Sequence, residues 1–409
     1  CGALPESAAN IGDHTTHKKV YYEPLTQADI NDKFGGKLPD CGNWFLSENV
    51  TLKGQASNTG DINLCFNGHT ASYTSNGSSS DRMYLLGQTL PANMTEKGKT
   101  EAVISFTDCK NGGGFKKKDA VSKAIGAMRI INNTHNVTLN IMGGTLDGSE
   151  TVSNQVGGVI AVNAAGTVNM YGGTVIGATA KFGGSISLSA ANTVFNMYGG
   201  TVKDGKALQG STETVGGNIY CAKGSVLKVA GGVISGGRAA SGGNIGAAYK
   251  ETSVTITGGT VSGGRAEKTA GGAGGRGGNL YLNFAPANLS GGVIEKGFAN
   301  CADGGGNIYI RGGTGRLNVS DTAVVKDGES AKTEGKNISV CEGGILALYG
   351  GKINGYVYHK NGVLNLTKKA YVYGGNTNIY IEDATAKVNV ISSLLESAKI
   401  GISMKTPGK

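Results

Sequence analysis

Four side chains near the start of the chain are of the types that hold zinc: Cys1, His14, His17 and Cys41. His14 and His17 are separated by two residues, but no Cys-x-x-Cys accompanies them and the gaps to Cys1 and Cys41 are long. The set therefore has zinc ligand types without the usual spacing. Hydrolysis of a sugar linkage needs two facing carboxylates. The regular part of the chain offers Asp147, Asp204, Glu295, Asp327, Glu329, Glu342, Glu382 and Asp383, mostly in turn-forming stretches. Asp204 and Asp327 share a Lys-Asp-Gly turn but lie far apart along the chain. There is no convincing nucleophile elbow, phosphate-binding loop or dinucleotide fingerprint, and the Gly-rich run Gly274–Gly278 reads as a flexible loop. The expectation is a protein without catalytic residues or cofactor, with a polysaccharide lyase or hydrolase as the alternative.

Tyrosine is the residue type whose spacing suggests binding. Tyr220, Tyr281, Tyr309 and Tyr380 each follow the apolar residue of a repeated strand. Alternation turns them outward, where a row of rings could stack on sugars or dock a protein. A second set, Tyr171, Tyr198, Tyr349 and Tyr373, immediately precedes a Gly-Gly step or a Gly. The competing explanation is that tyrosine favours strands and covers neighbouring backbone.

The elements that must position these rings follow from an internal repeat. Gly-Gly returns about every 27–33 residues, as in Met170–Val175, Met197–Val202, Val229–Ile234 and Ile256–Val261. A second motif, Gly-Gly-Asn-Ile/Leu, runs in phase and carries Asn218, Asn244, Asn279 and Asn307, with looser copies at Asn337 and Asn378. A period of this length with short β-rich segments marks a solenoid. Helices fail on this pattern, because paired glycines and β-branched residues would interrupt each one. Three short strands per repeat are predicted. Their inward columns run through Leu139/Ile141, Val168/Met170 and Phe195/Met197, then Leu146, Val175 and Val202, then Ile219, Ile245 and Leu280. Glycine supplies the corners. The six asparagines, Asn218 to Asn378, are expected to stack as an amide ladder at one corner. About a dozen coils at roughly 4.8 Å each predict a rod on the order of 55–60 Å long.

The chain divides on this reading into residues 1–45, a cap with a short helix; 46–136, irregular first coils with loops; 137–385, the regular parallel β-helix; and 386–409, a last, truncated coil. The helix is placed at Thr26–Lys33, with Thr26 as N-cap and Asp29 at the third position. Thr74–Asp81 and Asn111–Lys118 are predicted to be projecting loops. The 71 glycines and single tryptophan, Trp44, point to a thin aliphatic core. The net charge of +9 is diffuse, with short clusters at Lys116–Lys118 and Lys368–Lys369. It lacks the basic stripe and interleaved aromatics that nucleic-acid binding requires. No apolar run approaches a membrane span. Seven cysteines do not form an evident disulfide framework. Cys221 falls on inward parity, and Cys65 with Cys109 is one candidate bridge. Asn-x-Ser/Thr triplets recur, including one at Asn337.

Ile62-Asn63-Leu64-Cys65-Phe66-Asn67-Gly68-His69-Thr70 resembles the entry strand of large surface proteins of gut Firmicutes. The opening Cys1-Gly2 and Gly12-Asp13-His14-Thr15-Thr16-His17 are similar to the segment that precedes their glycine-rich β-helix. The resemblance implies a right-handed, pectin-lyase-like β-helix without a recognised catalytic set, on a bacterial surface or secreted, and continuing beyond Lys409. Right-handedness also follows from the usual crossover of parallel strands. The expected role is adhesive, through a lateral face that meets a glycan or a host or bacterial surface protein. A self-associating spacer or filament subunit is the second reading.

Overall fold

The structure, a computed structural model, describes residues 21–53, 60–73, 99–117, 135–152, 156–208, 213–331, 333–367, 369–374 and 378–406. The chain winds as a right-handed parallel β-helix. Among the described residues all paired strands are parallel, and each bonds to the equivalent strand one coil away. A coil runs through a strand of a first sheet, then a second, a third and a fourth, with 14, 12, 6 and 10 strands among the described residues. At roughly 4.8 Å per step, fourteen strands make a stack on the order of 60 Å long.

Alternation dictates what lies inside. In Gly166–Met170 and Thr193–Met197 of the first sheet, Val168 and Met170 pair with Phe195 and Met197 and are fully buried. Val175 and Val202 do the same in the second sheet, and Ile219, Ile245, Leu280, Ile308, Ile338 and Ile379 in the fourth. All belong to one continuous core.

The third sheet is an addition to the three-strand expectation. Its strands are two residues long, such as Lys206–Ala207 and Arg238–Ala239, and bury Ala207, Ala239, Ala266 and Ala299. So short a strand with a small inward residue has too few apolar positions to show a period. The repeat also shortens late in the chain. Leu346 faces Leu364, only eighteen residues on, because that coil passes from Lys352–Asn354 to Val357–His359 without a third-sheet strand. Another predicted loop is in part a strand: Gly114–Lys117 lies in register between Thr70–Tyr73 and Thr145–Asp147. Thr74–Asp81 lies outside the described residues.

The first coils are covered by helix α1, Gln27–Asp32, which carries the expected capping box. The Thr26 hydroxyl accepts from the Asp29 N–H at 3.1 Å, and the Thr26 N–H donates to the Asp29 carboxylate at 3.0 Å. Ile30 is buried beneath the helix. Gln27 then does for the open edge what a further strand would do. Its side-chain amide donates to the Thr51 carbonyl at 3.1 Å and accepts the Thr51 N–H at 2.6 Å. Thr51 lies in Val50–Leu52, the first strand of the second sheet, so its backbone is satisfied there without edge pairing.

Candidate functional site

The Gly-Gly-Asn corner forms a buried ladder. Asn244 Oδ1 accepts from Gly237 N–H at 2.9 Å and from Asn218 Nδ2 at 2.7 Å. Its Nδ2 donates to the Ser262 carbonyl at 2.8 Å and to Asn279 Oδ1 at 2.7 Å. The pattern repeats through Asn279, Asn307 and Asn337. Asn218, Asn244, Asn279 and Asn307 thus each use both amide protons and both lone pairs, which leaves nothing for a ligand, while Asn337 ends the ladder with one Nδ2 bond, to the Asn354 carbonyl. The Ser185 hydroxyl opens the ladder by donating to Asn218 Oδ1 at 2.9 Å. Asn378 stands apart from it: the shortened coil puts Tyr356 at the position between Asn337 and Asn378, and Asn378 bonds its own corner, to Gly374 N–H and the Val372 carbonyl. Asn337 is buried, so its glycosylation triplet is inaccessible in the folded chain.

A second amide ladder runs outside the first sheet. Asn196 Nδ2 donates to Asn169 Oδ1 at 2.9 Å, and Asn169 Nδ2 to Asn140 Oδ1 at 3.0 Å. Asn318 and Asn288 pair in the same way further along, at 2.7 Å. The sequence signal was present as the polar residue between the two apolar positions of each strand.

The row of outward tyrosines is not a free face. Tyr281 and Tyr309 do lie outside the coil lumen, yet they are 1% and 0% exposed. Tyr358, in the shortened coil, joins them, and with Cys301 and Cys341 they form a second apolar cluster. The connections between third and fourth sheets fold back over the fourth sheet and cover it. Val215 fills the gap that Gly246 leaves in the column, to the point that a Cβ on Gly246 would meet Val215 at 2.1 Å. The Arg276 guanidinium lies 5.8 Å from the Tyr309 ring centre and pairs with Glu213 at 3.2 Å. Arg311 donates to the Tyr281 hydroxyl at 3.3 Å and pairs with Glu342. Burial pushes the Tyr281 phenol up to about 12 and Tyr309 higher still. Tyr220, stacked on Phe182 at 5.0 Å, and Tyr380, stacked on Tyr358 at 6.2 Å, are half-buried.

Of the tyrosines beside the Gly-Gly corner, Tyr198, Tyr349 and Tyr373 are exposed and Tyr171 is half-buried. Tyr198 is 51% and Tyr349 41% exposed. Tyr171 and Tyr198 stack at 5.0 Å with planes 8° apart. Near the last coils the same corner opens into a cleft of 740 Å³, whose walls include Tyr349, Tyr371, Lys352, Lys369, Asp321 and Ile391. Arg316 steadies the Tyr349 ring by donating to its hydroxyl at 3.0 Å.

Cys1, His14 and His17 lie outside the described residues. Cys41 is exposed, and its carbonyl accepts from the Trp44 indole N–H at 2.8 Å. Among the described residues, no three His, Cys, Asp or Glu side chains gather closely enough to hold a metal. Several carboxylates are engaged by cations: Glu295 with Lys326 at 3.0 Å, Glu382 with Lys405 at 2.6 Å, and Asp303 with Lys360 at 2.8 Å. Asp204 and Asp327 occupy left-handed turn positions, with φ of 59° and 53°. Among the described residues, no helix is long and apolar enough to cross a membrane.

The chain matches no family model, and neither a curated protein nor a solved structure is significantly similar to it.

Proposed function

We propose that this β-helix is a non-enzymatic module of a bacterial cell surface or secreted protein, and that it binds glycan along its Gly-Gly corner. The observation that carries this reading is the cleft beside Tyr349. It combines an exposed, hydrogen-bond-steadied ring with Tyr371, two lysines and hydroxyl groups. An aromatic face with surrounding polar groups suits a sugar ring, and the lysines favour an acidic one. The test is a glycan array followed by titration of any hit against Tyr349→Ala and Lys352→Ala. A tenfold or greater loss in both variants, with Tyr309→Phe unchanged, supports the reading. Unaltered binding in both would sink it. A polysaccharide reducing-end assay addresses the enzymatic alternative, and product released above the level of the heat-denatured protein would overturn the non-enzymatic part.

A second reading, self-association, is favoured by the last coil. Val390, Ile391, Leu394, Leu395, Ile402 and Met404 are all at least two-fifths exposed. A second copy packing on this coil would cover these side chains. Light scattering that stays monomeric across a hundredfold range of concentration would exclude it.

A further inference from the structure

Cys65 and Cys109 come together in the irregular first coils. Their sulfurs are 2.8 Å apart. Optimal contact between carbon atoms is roughly 3.5–4.0 Å, and sulfur is larger, so this separation is well inside ordinary packing. A disulfide requires about 2.04 Å, a closure of less than 1 Å from the observed position.

The backbone on both sides is held for that closure. Cys65 ends the strand Ile62–Cys65, is fully buried and lies opposite Thr107 in register. The Phe66 N–H donates to the Thr107 carbonyl at 2.8 Å. Just beyond, the Asp108 carboxylate accepts from the Gly68 N–H at 2.7 Å and from the Gly113 N–H at 2.8 Å. That one side chain ties the turn after Cys65 to the turn after Cys109. The other described cysteines are placed differently: Cys221 in the main core, Cys301 and Cys341 in the tyrosine cluster, and Cys41 exposed.

We infer that Cys65 and Cys109 form a disulfide that staples two successive coils at the N-terminal end of the β-helix. The bond forms by exchange with an external disulfide such as oxidised glutathione. Both S–H protons leave, the two electrons pass to the oxidant, and the oxidant's disulfide becomes two thiols. Cys109 is the accessible partner and starts the exchange. Burial and the neighbouring thiol push its pKa up to about 11, so the bridge forms slowly at neutral pH and faster as pH rises. Once formed, it closes the chain between the two residues in the unfolded state, which is the main way a disulfide stabilises.

The full chain, reduced and then incubated with oxidised glutathione at pH 8.5, is alkylated in denaturant, digested without reductant and mapped by mass spectrometry. The expected product is one peptide pair joined through Cys65 and Cys109, two hydrogens lighter than the sum of its parts. In Cys109→Ser, which alters an exposed position, Cys65 is expected to remain a free thiol. The oxidised wild type should also melt a few degrees above its reduced form, a difference absent from Cys109→Ser. Recovery of both cysteines as alkylated thiols after oxidation, or of Cys109 joined to Cys41, would overturn the inference.

Discussion

Asn244 and Asn279 share a 2.7 Å hydrogen bond, Nδ2 to Oδ1, across two coils of the β-helix. Both are fully buried, and each also satisfies a corner N–H and a corner carbonyl. Asn279→Ala would strand the Gly264 N–H and take a partner from each of the neighbouring amides, Asn244 and Asn307. Each buried orphan costs about 1–3 kcal/mol, so the loss should reach roughly 3 kcal/mol or more. Asn318→Ala, in the outer ladder, leaves its partner Asn288 open to water and should cost well under about 1 kcal/mol. Urea midpoints separate the two, and hydrogen exchange at Gly264 and Gly297 localises the damage, since a solenoid need not unfold in one step.

The glycine beside each ladder asparagine is there for space. A Cβ on Gly237 would lie 2.2 Å from the Gly243 carbonyl and 2.8 Å from both Asn218 Nδ2 and Asn244 Oδ1. Gly237→Ala must therefore push two coils apart, and soluble expression or cooperative melting should be lost or sharply reduced. At Gly313 a Cβ meets nothing within 4 Å. Gly313→Ala should stay within about 0.5 kcal/mol of wild type in the same melt. Equal effects at the two sites would refute the steric account.

These glycines mark how far the chain could be understood before its structure. The inward columns of the first, second and fourth sheets were legible because two apolar positions per strand, repeated in phase, can only face one way. Ladder asparagines were legible because they hold a fixed offset from a glycine pair. The third sheet was not, since an alanine in a two-residue strand carries almost no hydrophobic signal. Tyr281 and Tyr309 were assigned the right direction and the wrong exposure. Strand parity says which side of the sheet a ring occupies, but connections of irregular length decide whether Val215, Arg276 or Cys301 then folds over it.

His359 is a pH-sensitive weakness in the core. It occupies an inward position of the fourth sheet, between Val340 and Ile381, and is fully buried. Among the described residues its Nδ1 has no partner, and its Nε2 lies 3.1 Å from the Lys387 carbonyl. Burial lowers its pKa below the usual 6.5, with the Lys387 carbonyl opposing only in part. The unfolded chain therefore takes up a proton as pH falls through 6.5, while the folded chain does not. Stability contributed by the neutral ring is complete above about pH 7 and declines as the pH falls below 6.5 toward the lowered folded value. His359→Leu should flatten that decline between pH 7 and 5 in thermal melts, without loss at pH 7. An unchanged slope would assign the acid sensitivity to other groups.

Asp29 governs acid sensitivity at the opposite end. Its carboxylate is held at about 2 by Lys33, then by the Thr26 hydroxyl and N–H. The folded value lies below the ordinary 3.8, so the capping interaction is complete above that pH and is lost as pH falls toward 2. Protection of the α1 amides relative to their intrinsic exchange rates should fall below pH 4, and Asp29→Asn should show the lowered protection already at pH 7. Protection in Asp29→Asn equal to wild type would show that Gln27 and Ile30 alone hold the helix.

Two tyrosine substitutions distinguish covering from binding. Tyr309 is buried under Arg276 and packed at 6.1 Å from Tyr281. Tyr309→Ala removes a large core side chain and should cost about 3–5 kcal/mol, by analogy with other buried aromatic truncations. Its effect on any ligand should appear only through unfolding. Tyr349 is half in solvent and hydrogen-bonded through its hydroxyl to Arg316. Tyr349→Ala should change the melting midpoint by little, since a surface truncation away from the core is usually worth within about 0.5 kcal/mol. The loss should fall on sugar affinity at 25 °C instead. The reverse pattern, with Tyr349→Ala unfolding the chain or Tyr309→Ala selectively losing ligand while melting normally, would move the binding surface from the Gly-Gly corner to the fourth sheet.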